Sequence, residues 1–190
     1  MVLAAADPLS FPTLVRILAE GGVAIAPGDT MYGLIGLAPQ AEARMRRVKG
    51  RGEERPFLQL IADASWVGRI SDQPIPPRLA RFWPGPLTLV FPARAGGKTA
   101  LRVPDHGFLR ELLSALDQPL YSTSVNRAGL PPLRTVEEMR RELEGDVDAI
   151  YDAGEQPPGE PSTLLDITRR PFAILRQGAV DLSPRDLEEN

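Results

Sequence analysis

Apolar residues occur in many short stretches along this chain, and their spacing changes repeatedly between the helical pattern and the pattern of a strand. Helical spacing of apolar positions, or a helix-favouring composition, predicts helices over residues 10–20, 41–48, 77–82, 108–116 and 135–143. Ser10 is placed to cap the first of these helices, and Gly21 is placed to end it. Thr135 and Glu138 have the spacing of a capping box, which predicts where the last helix begins.

Strands are predicted wherever a short apolar run is bounded by turn-forming residues. These runs are residues 23–26, 33–38, 57–63, 87–93, 100–104, 119–124, 148–152, 162–167 and 172–176. Helices and strands mix along the whole chain without a repeat or a change of composition. We therefore expect one α/β domain over residues 1–190, built around a sizeable sheet. Its motif-bearing core runs from about residue 10 to 180, and residues 181–190 are interpreted as a solvated acidic tail.

Composition narrows the class of protein. A length of 190 residues suits one domain, and the net charge of −3 argues against a generally basic nucleic-acid-binding surface. The absence of cysteine excludes thiolate zinc sites and a cysteine nucleophile, and the single histidine, His106, excludes a His-rich metal site. The chain shows no secretory signal, and no apolar run approaches the ~18 residues of a membrane span. We expect a cytoplasmic location and no membrane partner.

Two segments carry polar residues suited to ligand binding. The stretch VAIAPGDTMYGLIGLA (residues 23–38) places an acid, a hydroxyl and a phenol on a tight turn between two predicted strands. Residues 41–56 contain six cations and three acids, with glycines that let the backbone approach a ligand closely. Lys49 and Arg51 in this segment suit phosphate oxygens, although a solvated basic helix end explains the same charges.

Three further signals are weaker. Ser122, Ser124 and Asn126 alternate at a strand end, so they share one face that suits either a small polar ligand or solvent. The segment PARAGGKTA (residues 92–100) lacks the earlier glycine and the following helix of a P-loop, so a Gly-rich hairpin is expected. Nothing in the sequence places a serine beside His106, which argues against a serine hydrolase.

Seven blocks, taken in order, resemble the YrdC/TsaC family of threonylcarbamoyl-adenylate synthases. They are APGDTMYGL, KGRGEERPF, FWPGPLTLV, LRVPDH, STSVNRAG, STLLDI and ILRQGAV. The corresponding family blocks are P-T-D-T-V-Y-G-L, K-x-R with a following basic residue and proline, F-W-P-G-P-L-T, V-R-V-P-x-H, S-A-N-x-S-G, S-T-V-V-D and I-L-R-x-G-A. The resemblance runs from about Gly21 to Val180. It implies a twisted mixed α/β sheet with flanking helices and a deep concave groove.

The resemblance also implies an activity. Members of the family join L-threonine, bicarbonate or CO2, and ATP, usually with Mg²⁺, into threonylcarbamoyl-AMP and pyrophosphate. The product is passed to the tRNA threonylcarbamoyl transferase complex, which modifies adenosine 37 of transfer RNAs. Such a protein must hold two anions together and neutralise phosphate charge. No general base is essential if the carbamate is already ionised, which suits a chain with one histidine and no cysteine.

The resemblance assigns roles to individual residues. Lys49 and Arg51 would be the catalytic pair on the ATP phosphates, and Thr30 would hold L-threonine with Arg102 on its carboxylate. The other ATP-binding positions would be Arg55, Ser124, Asn126 and Arg176, and the other threonine-site positions would be Tyr32, Ser122 and Ser162. Asp29 would brace the turn, and a purely structural role for Asp29 and Tyr32 stays open. The departures from the family blocks, which loosen the nucleotide-pocket assignment, are at Gly28, Val125 and Ala128.

Other functions remain open. A catalytically inactive paralogue of the same fold, acting as an RNA- or nucleotide-binding module, is the main alternative, although this chain keeps the K-x-R and S-x-N residues. The local basic patch leaves room for a weak RNA contact, which the net charge of −3 does not encourage. A carbamoyl-transfer domain of hydrogenase maturation would belong to a much longer, cysteine-containing chain.

Overall fold

The computed structural model describes residues 1–50, 56–156 and 159–188. The strands within these residues are β1 (Val2–Ala4), β2 (Val23–Ala26), β3 (Gly33–Leu37), β4 (Leu58–Leu60), β5 (Leu87–Pro92), β6 (Lys98–Arg102), β7 (Leu120–Ser124), β8 (Ala149–Asp152), β9 (Thr163–Asp166) and β10 (Ala173–Arg176). The α-helices are α1 (Ser10–Ala19), α2 (Glu42–Lys49), α3 (Val67–Ile70), α4 (Pro77–Ala80), α5 (Gly107–Leu116) and α6 (Val136–Leu143). Short 3-10 helices cover Ala64–Trp66 and Pro184–Leu187. Among the described residues, no helix is long and apolar enough to cross a bilayer.

The strands form one mixed sheet, in the order β1-β8-β2-β3-β7-β4-β6-β5-β9-β10. Strand β7 pairs antiparallel with both β3 and β4, and β4 pairs parallel with β6. Strand β5 pairs antiparallel with β6 and parallel with β9. Neighbours in the sheet are therefore often far apart in sequence, and helices flank the sheet as the family resemblance implied.

Alternate strand residues bury apolar side chains on both faces of the sheet. Ile35, Leu60 and Leu120 share one cluster with the apolar stripes of α1 and α5. Leu34 shares a second cluster with apolar residues of α2 and α6. A third cluster, which includes Leu101, packs against the short helices near Trp66 and Leu79. Burial on both faces accounts for the strand residues being apolar at consecutive positions as well as alternate ones.

The structure confirms the predicted helices and strands, and it adds α3 and the two 3-10 helices, which were not predicted. The capping box is confirmed, since Thr135 Oγ1 accepts from the Glu138 N–H at 3.2 Å and Glu138 Oε2 accepts from the Thr135 N–H at 3.0 Å. The predicted cap at Ser10 is wrong, because α1 begins at this residue and its side chain is buried. Strand β1 was not predicted, and it pairs in parallel with β8 at the sheet edge. The hairpin expected at residues 92–100 is confirmed as the β5–β6 connection.

The solvated tail predicted for residues 181–190 stays a prediction, since residues 181, 183–185 and 188 are exposed but Asp186 is buried. Its 3-10 helix packs back on the domain, and the Phe172 N–H donates to the Leu187 carbonyl at 3.1 Å. Asp186 is only 2% exposed. Its Oδ2 accepts from the backbone N–H and the hydroxyl of Ser183, and its Oδ1 accepts from Arg81 Nη2 at 2.7 Å. The capping box formed by Ser183 and Asp186, rather than the net acidity of the segment, explains why this carboxylate is buried.

Stability should depend on pH through Asp186. Burial by itself raises the pKa of this carboxyl, but the hydrogen bonds from Ser183 and the charge of Arg81 outweigh burial and lower it. A carboxylate with a depressed folded-state pKa stabilises the fold above its unfolded pKa, and the contribution is lost as pH falls through the folded pKa. We expect wild type to be more stable than Asp186→Asn at pH 6, and this difference to shrink below about pH 3.9. Urea denaturation at pH 3 to 6 measures it, and a pH-independent difference would contradict it.

Candidate active site

A cavity of about 610 Å³ lies over the central strands of the sheet. The register explains where its walls come from: Leu58 pairs with Ser122 of β7 and with Ala100 of β6, and Leu164 of β9 pairs with Thr88 of β5. Cross-strand partners share one face, and because Ala100 pairs with Val90 rather than with Thr88, these residues form two neighbouring rows on that face. The complete lining is Thr30, Met31, Tyr32, Gly33, Pro56, Phe57, Leu58, Thr88, Ala100, Arg102, Ser122, Thr123, Ser124, Pro132, Leu133, Arg134, Gln156, Gly159, Pro161, Ser162, Leu164 and Arg176.

Most of the residues predicted for the site meet at this cavity. The lining includes Thr30, Tyr32, Arg102, Ser122, Ser124, Ser162 and Arg176. Lys49 and Asn126 are absent from the described lining, but both form hydrogen bonds with Ser124. Arg51 and Arg55 lie outside the described residues. The fold thus gathers side chains from both ends of the chain into one place.

Arg102 and Asp29 form a buried ion pair beside the cavity. Arg102 Nη2 donates to Asp29 Oδ1, and the two side chains are only 6% and 10% exposed. Asp29 Oδ2 also accepts from the Asp105 N–H at 3.1 Å. The carboxylate of Asp29 therefore links the β2–β3 turn to the end of β6, which is the bracing role expected for it.

Arg176, Ser162 and Thr88 form a hydrogen-bonded row on another wall. Arg176 Nη2 donates to the Ser162 carbonyl at 2.7 Å and to Ser162 Oγ at 3.1 Å. Ser162 Oγ lies 2.8 Å from Thr88 Oγ1, and both hydroxyl-bearing residues are buried. Since Ser162 Oγ accepts from Arg176, its own proton is available to Thr88 or to a bound ligand.

The two cavity arginines make this region favourable for anions. Burial lowers the pKa of Arg176, and the positive charge of Arg102 lowers it further. Arginine stays protonated in proteins, so the cost of holding the two cations together is relieved when an anion binds between them. The cavity is therefore prepared for a negatively charged ligand.

Lys49 is anchored at the end of β7. It is 4% exposed, although it ends a helix on the protein surface. Its Nζ donates to the Ser124 carbonyl at 2.8 Å and to Asn126 Oδ1. Asn126 Oδ1 also accepts from Ser124 Oγ at 2.7 Å, so lysine, serine and asparagine form one polar group next to the cavity.

Tyr32 is buried and fastens a loop. Its phenol accepts from the Ala153 N–H at 3.1 Å and donates to the Gly154 carbonyl at 2.7 Å. Burial raises the pKa of this phenol, so it keeps its proton at neutral pH. Gly159, further along the same loop, approaches the Thr30 backbone so closely that any side chain there would clash. Tyr32 therefore shapes the cavity by holding the chain that follows β8.

We expect Tyr32→Phe to lower the free energy of unfolding by about 0.5–1.5 kcal/mol, because the ring still packs in the core while the hydrogen bonds of the phenol to the exposed residues Ala153 and Gly154 are lost. It should also weaken substrate affinity more than the maximal rate, since the loop beside Thr30 is released. Urea denaturation and steady-state kinetics measure the two effects. Unchanged stability with a lower rate would instead place the hydroxyl on the substrate.

Some residues that line the cavity were not predicted from the sequence to belong to the site. Thr88 lies within the block FWPGPLTLV, but the resemblance to the family assigned no role to it. The apolar walls, Phe57 and Leu133, belong to one core cluster although they come from separate segments. No local pattern marks such residues, because a strand threonine or a loop leucine has an ordinary structural explanation wherever it occurs.

The sequence family that this chain matches is the Sua5/YciO/YrdC family, whose description is "Telomere recombination". The family pattern matches residues 16–178, which is most of the chain. The chain belongs to this family. The resemblance to YrdC/TsaC proteins stated from the seven blocks is therefore confirmed.

Similar proteins from two organisms are named as an enzyme, threonylcarbamoyl-AMP synthase. Threonylcarbamoyl-AMP synthase of Pyrococcus abyssi is 32% identical over 178 residues, which cover 86% of this chain and 52% of the relative. Threonylcarbamoyl-AMP synthase of Coxiella burnetii is 30% identical over 167 residues, which cover 80% of this chain and 89% of the relative. The chain thus spans about half the length of the first of them and nearly all of the second.

A solved structure shares the fold of this Sua5/YciO/YrdC member. P. abyssi Sua5 complexed with L-threonine superposes with a TM-score of 0.85 and 26% sequence identity. The match covers 94% of this chain and 57% of that protein. The expected fold, a mixed sheet with flanking helices, is therefore confirmed.

Proposed function

We propose that this chain joins L-threonine, bicarbonate or CO2, and ATP into threonylcarbamoyl-AMP, with release of pyrophosphate. The observation that carries the proposal is a single cavity that combines two arginines, the buried Arg102 and the exposed Arg176, with the hydroxyls of Thr30, Ser122 and Ser162. Such a cavity suits two anionic substrates held side by side. The enzyme name shared by relatives of 30–32% identity supports the same assignment.

L-threonine is assigned to the part of the cavity near the β2–β3 turn. Arg102 presents a planar guanidinium suited to a carboxylate, and its orientation is set by the ion pair with Asp29. Thr30 and Ser122 add hydroxyls that can bind the amino acid's polar groups. The buried pair is formed before substrate arrives, so little rearrangement is needed on binding.

ATP is assigned to the remainder of the cavity. Arg176 and Lys49 would neutralise phosphate charge, together with Arg51 and Arg55, and Ser124 and Asn126 would bind the nucleotide. The base would lie on the apolar lining contributed by residues 56–58 and 132–133. The carbamate oxygen would then face the α-phosphorus, and the fixed cations would stabilise the charge that develops on the phosphates.

Mg²⁺ is included in the proposal as a companion of ATP. Within residues 1–50, 56–156 and 159–188, no group of three or more His, Cys, Asp or Glu could hold a metal ion. Mg²⁺ commonly keeps several waters and binds substrate phosphates with few protein carboxylates. The residues present therefore fit an ion that arrives with the nucleotide and adds positive charge at its phosphates.

The test is mass spectrometry of the protein mixed with ATP, Mg²⁺, L-threonine and bicarbonate, with pyrophosphate followed in parallel. We expect pyrophosphate release that requires L-threonine, and a product with the mass of threonylcarbamoyl-AMP. D-threonine serves as the control substrate. ATP binding without turnover would reject the synthase in favour of a nucleotide-binding paralogue. RNA binding with a steep salt dependence, again without turnover, would favour an RNA-binding module.

As part of the proposal, the product passes to the tRNA threonylcarbamoyl transferase complex.

A further inference from the structure

One buried hydroxyl of the cavity wall belongs to an otherwise apolar strand. Thr88 is the only polar residue of β5, and every residue of that strand except Pro92 is buried. The neighbouring side chains of Leu87 and Leu89 pack in an apolar cluster on the opposite face of the sheet, so Thr88 is on the cavity face. Thr88 is only 1% exposed. A hydroxyl buried to this extent costs free energy unless it forms a hydrogen bond.

The hydrogen-bond partner of Thr88 is Ser162, which precedes β9. Thr88 Oγ1 and Ser162 Oγ lie 2.8 Å apart, and within the described residues this is the only hydrogen bond of the Thr88 side chain. Ser162 is 2% exposed and also lines the cavity. Its carbonyl and its Oγ both accept from Arg176 Nη2, at 2.7 and 3.1 Å. Ser162 therefore lies between Thr88 and the guanidinium of Arg176.

These contacts favour one arrangement of the hydroxyl protons. A hydroxyl has one proton and two lone pairs, and Arg176 occupies one lone pair of Ser162 Oγ. If Thr88 donates to the second lone pair, the Ser162 proton is left for a ligand. The opposite direction would leave the proton of Thr88 unused, one hydrogen bond further from Arg176, at a buried position where unused donors are rare.

We propose that Thr88 is a positioning residue of the active site: its hydroxyl donates to Ser162 and thereby holds Ser162 as a donor to the amino-acid substrate. The inference rests on the proposed function. Ser162 contacts Arg176, which is assigned to ATP, so this donor lies where the two substrates meet. An oriented O–H there binds a negatively charged oxygen of the amino-acid substrate by a charge-assisted hydrogen bond without first rearranging. Thr88 itself does not contact the substrate.

The first experiment removes and restores the hydroxyl. Thr88→Val keeps the branched shape without the hydroxyl, and Thr88→Ser keeps the hydroxyl. We expect Thr88→Val to lower kcat/KM for L-threonine by about 3–10-fold, the scale of one hydrogen bond, mainly through a higher KM and with the KM for ATP unchanged. Thr88→Ser should retain the wild-type KM for L-threonine. A Thr88→Ser variant as impaired as Thr88→Val would overturn the inference.

A double-mutant cycle distinguishes a role through Ser162 from direct contact with the substrate. Ser162→Ala removes the donor, but it keeps the backbone carbonyl to which Arg176 donates. When Ser162→Ala is already present, we expect Thr88→Val to change kcat/KM for L-threonine by less than about twofold, because only residues that act together are non-additive. An undiminished loss in that background would show that Thr88 does not act through Ser162 and would overturn the inference.

Thr99 provides a matched control for the loss of a buried strand hydroxyl. It lies on β6, is 7% exposed, and its Oγ1 accepts from Gln59 Nε2 at 2.9 Å. It is absent from the lining of the cavity formed by the described residues. Thr99→Val should keep the wild-type kinetic constants even if it lowers stability. An equal kinetic loss in Thr99→Val and Thr88→Val would assign the effect to a loosened sheet and overturn the inference.

Failure of the inference and failure of the proposed function give different results. A wild-type protein that neither binds L-threonine in isothermal titration calorimetry nor forms threonylcarbamoyl-AMP would reject the proposed function. With an active wild-type protein, the variants alone decide the role of Thr88. Circular dichroism verifies that each variant is folded. If Thr88→Val does not fold, Thr88→Ala, which also lacks the hydroxyl, replaces it in the cycle.

Discussion

Lys49→Ala is expected to lower the rate of threonylcarbamoyl-AMP formation by about 100-fold or more, the scale for losing one preorganised charge at a reacting phosphate. The Nζ group is buried and holds Ser124 and Asn126, so its loss removes a cation and also releases the end of β7. The measurement is pyrophosphate release at saturating substrates, with circular dichroism to verify that the variant is folded.

Lys98, the chain's only other lysine, provides the control. It lies on β6, pairs with Asp166 at 2.9 Å, and is absent from the cavity lining that the described residues form. Lys98→Ala should keep the rate within about twofold of wild type, as expected for a half-exposed residue away from the site. Full activity of Lys49→Ala, or an equal loss in the two variants, would show that the phosphate site is elsewhere.

Asp29→Ala is expected to lower the free energy of unfolding by about 3–5 kcal/mol, because it leaves the buried guanidinium of Arg102 without its charge partner. The side chains of this pair are 10% and 6% exposed, so water cannot replace the lost carboxylate easily. The Michaelis constant for L-threonine should also rise, since Arg102 loses the contact that orients it. Urea denaturation and substrate titration measure the two effects.

An exposed ion pair supplies the comparison for Asp29. Arg94 and Asp72 lie 2.5 Å apart with side chains that are 51% and 79% exposed. Asp72→Ala should cost less than about 1 kcal/mol, because solvent screens exposed charges. Similar costs for the two aspartate variants would mean that the Asp29–Arg102 pair contributes no more than a surface pair, which would contradict the prediction.

Local sequence pattern was sufficient for most of the fold. The apolar stripe of α5 and the capping box of α6 are decided by residues within one or two helical turns of each other. The prediction that failed, the cap at Ser10, was also local. Ser10 is the first residue of α1, and its side chain is buried instead of capping the helix. Asp186 is buried within a segment whose other residues are mostly exposed, which net acidity does not indicate.

Sequence pattern predicted only part of the candidate site. Thr30, Arg102 and Arg176 stood out because contiguous blocks around them resemble a family, and the structure brings all three to one cavity. The bracing role of Asp29 was expected, but its partner was not. Thr88 was not given a role at all, since its hydrogen bond reaches Ser162, 74 residues away in sequence.

By itself, the sequence determined the order of helices and strands and the family, because both depend on residues close together in the chain. The tertiary structure alone decided that Asp29 pairs with Arg102, 73 residues away, and that Thr88 forms a hydrogen bond with Ser162. The physical reason is the register of the sheet. Pairing of strands that are distant in sequence decides which side chains share a face, and a shift of one residue would turn each of them to the other side.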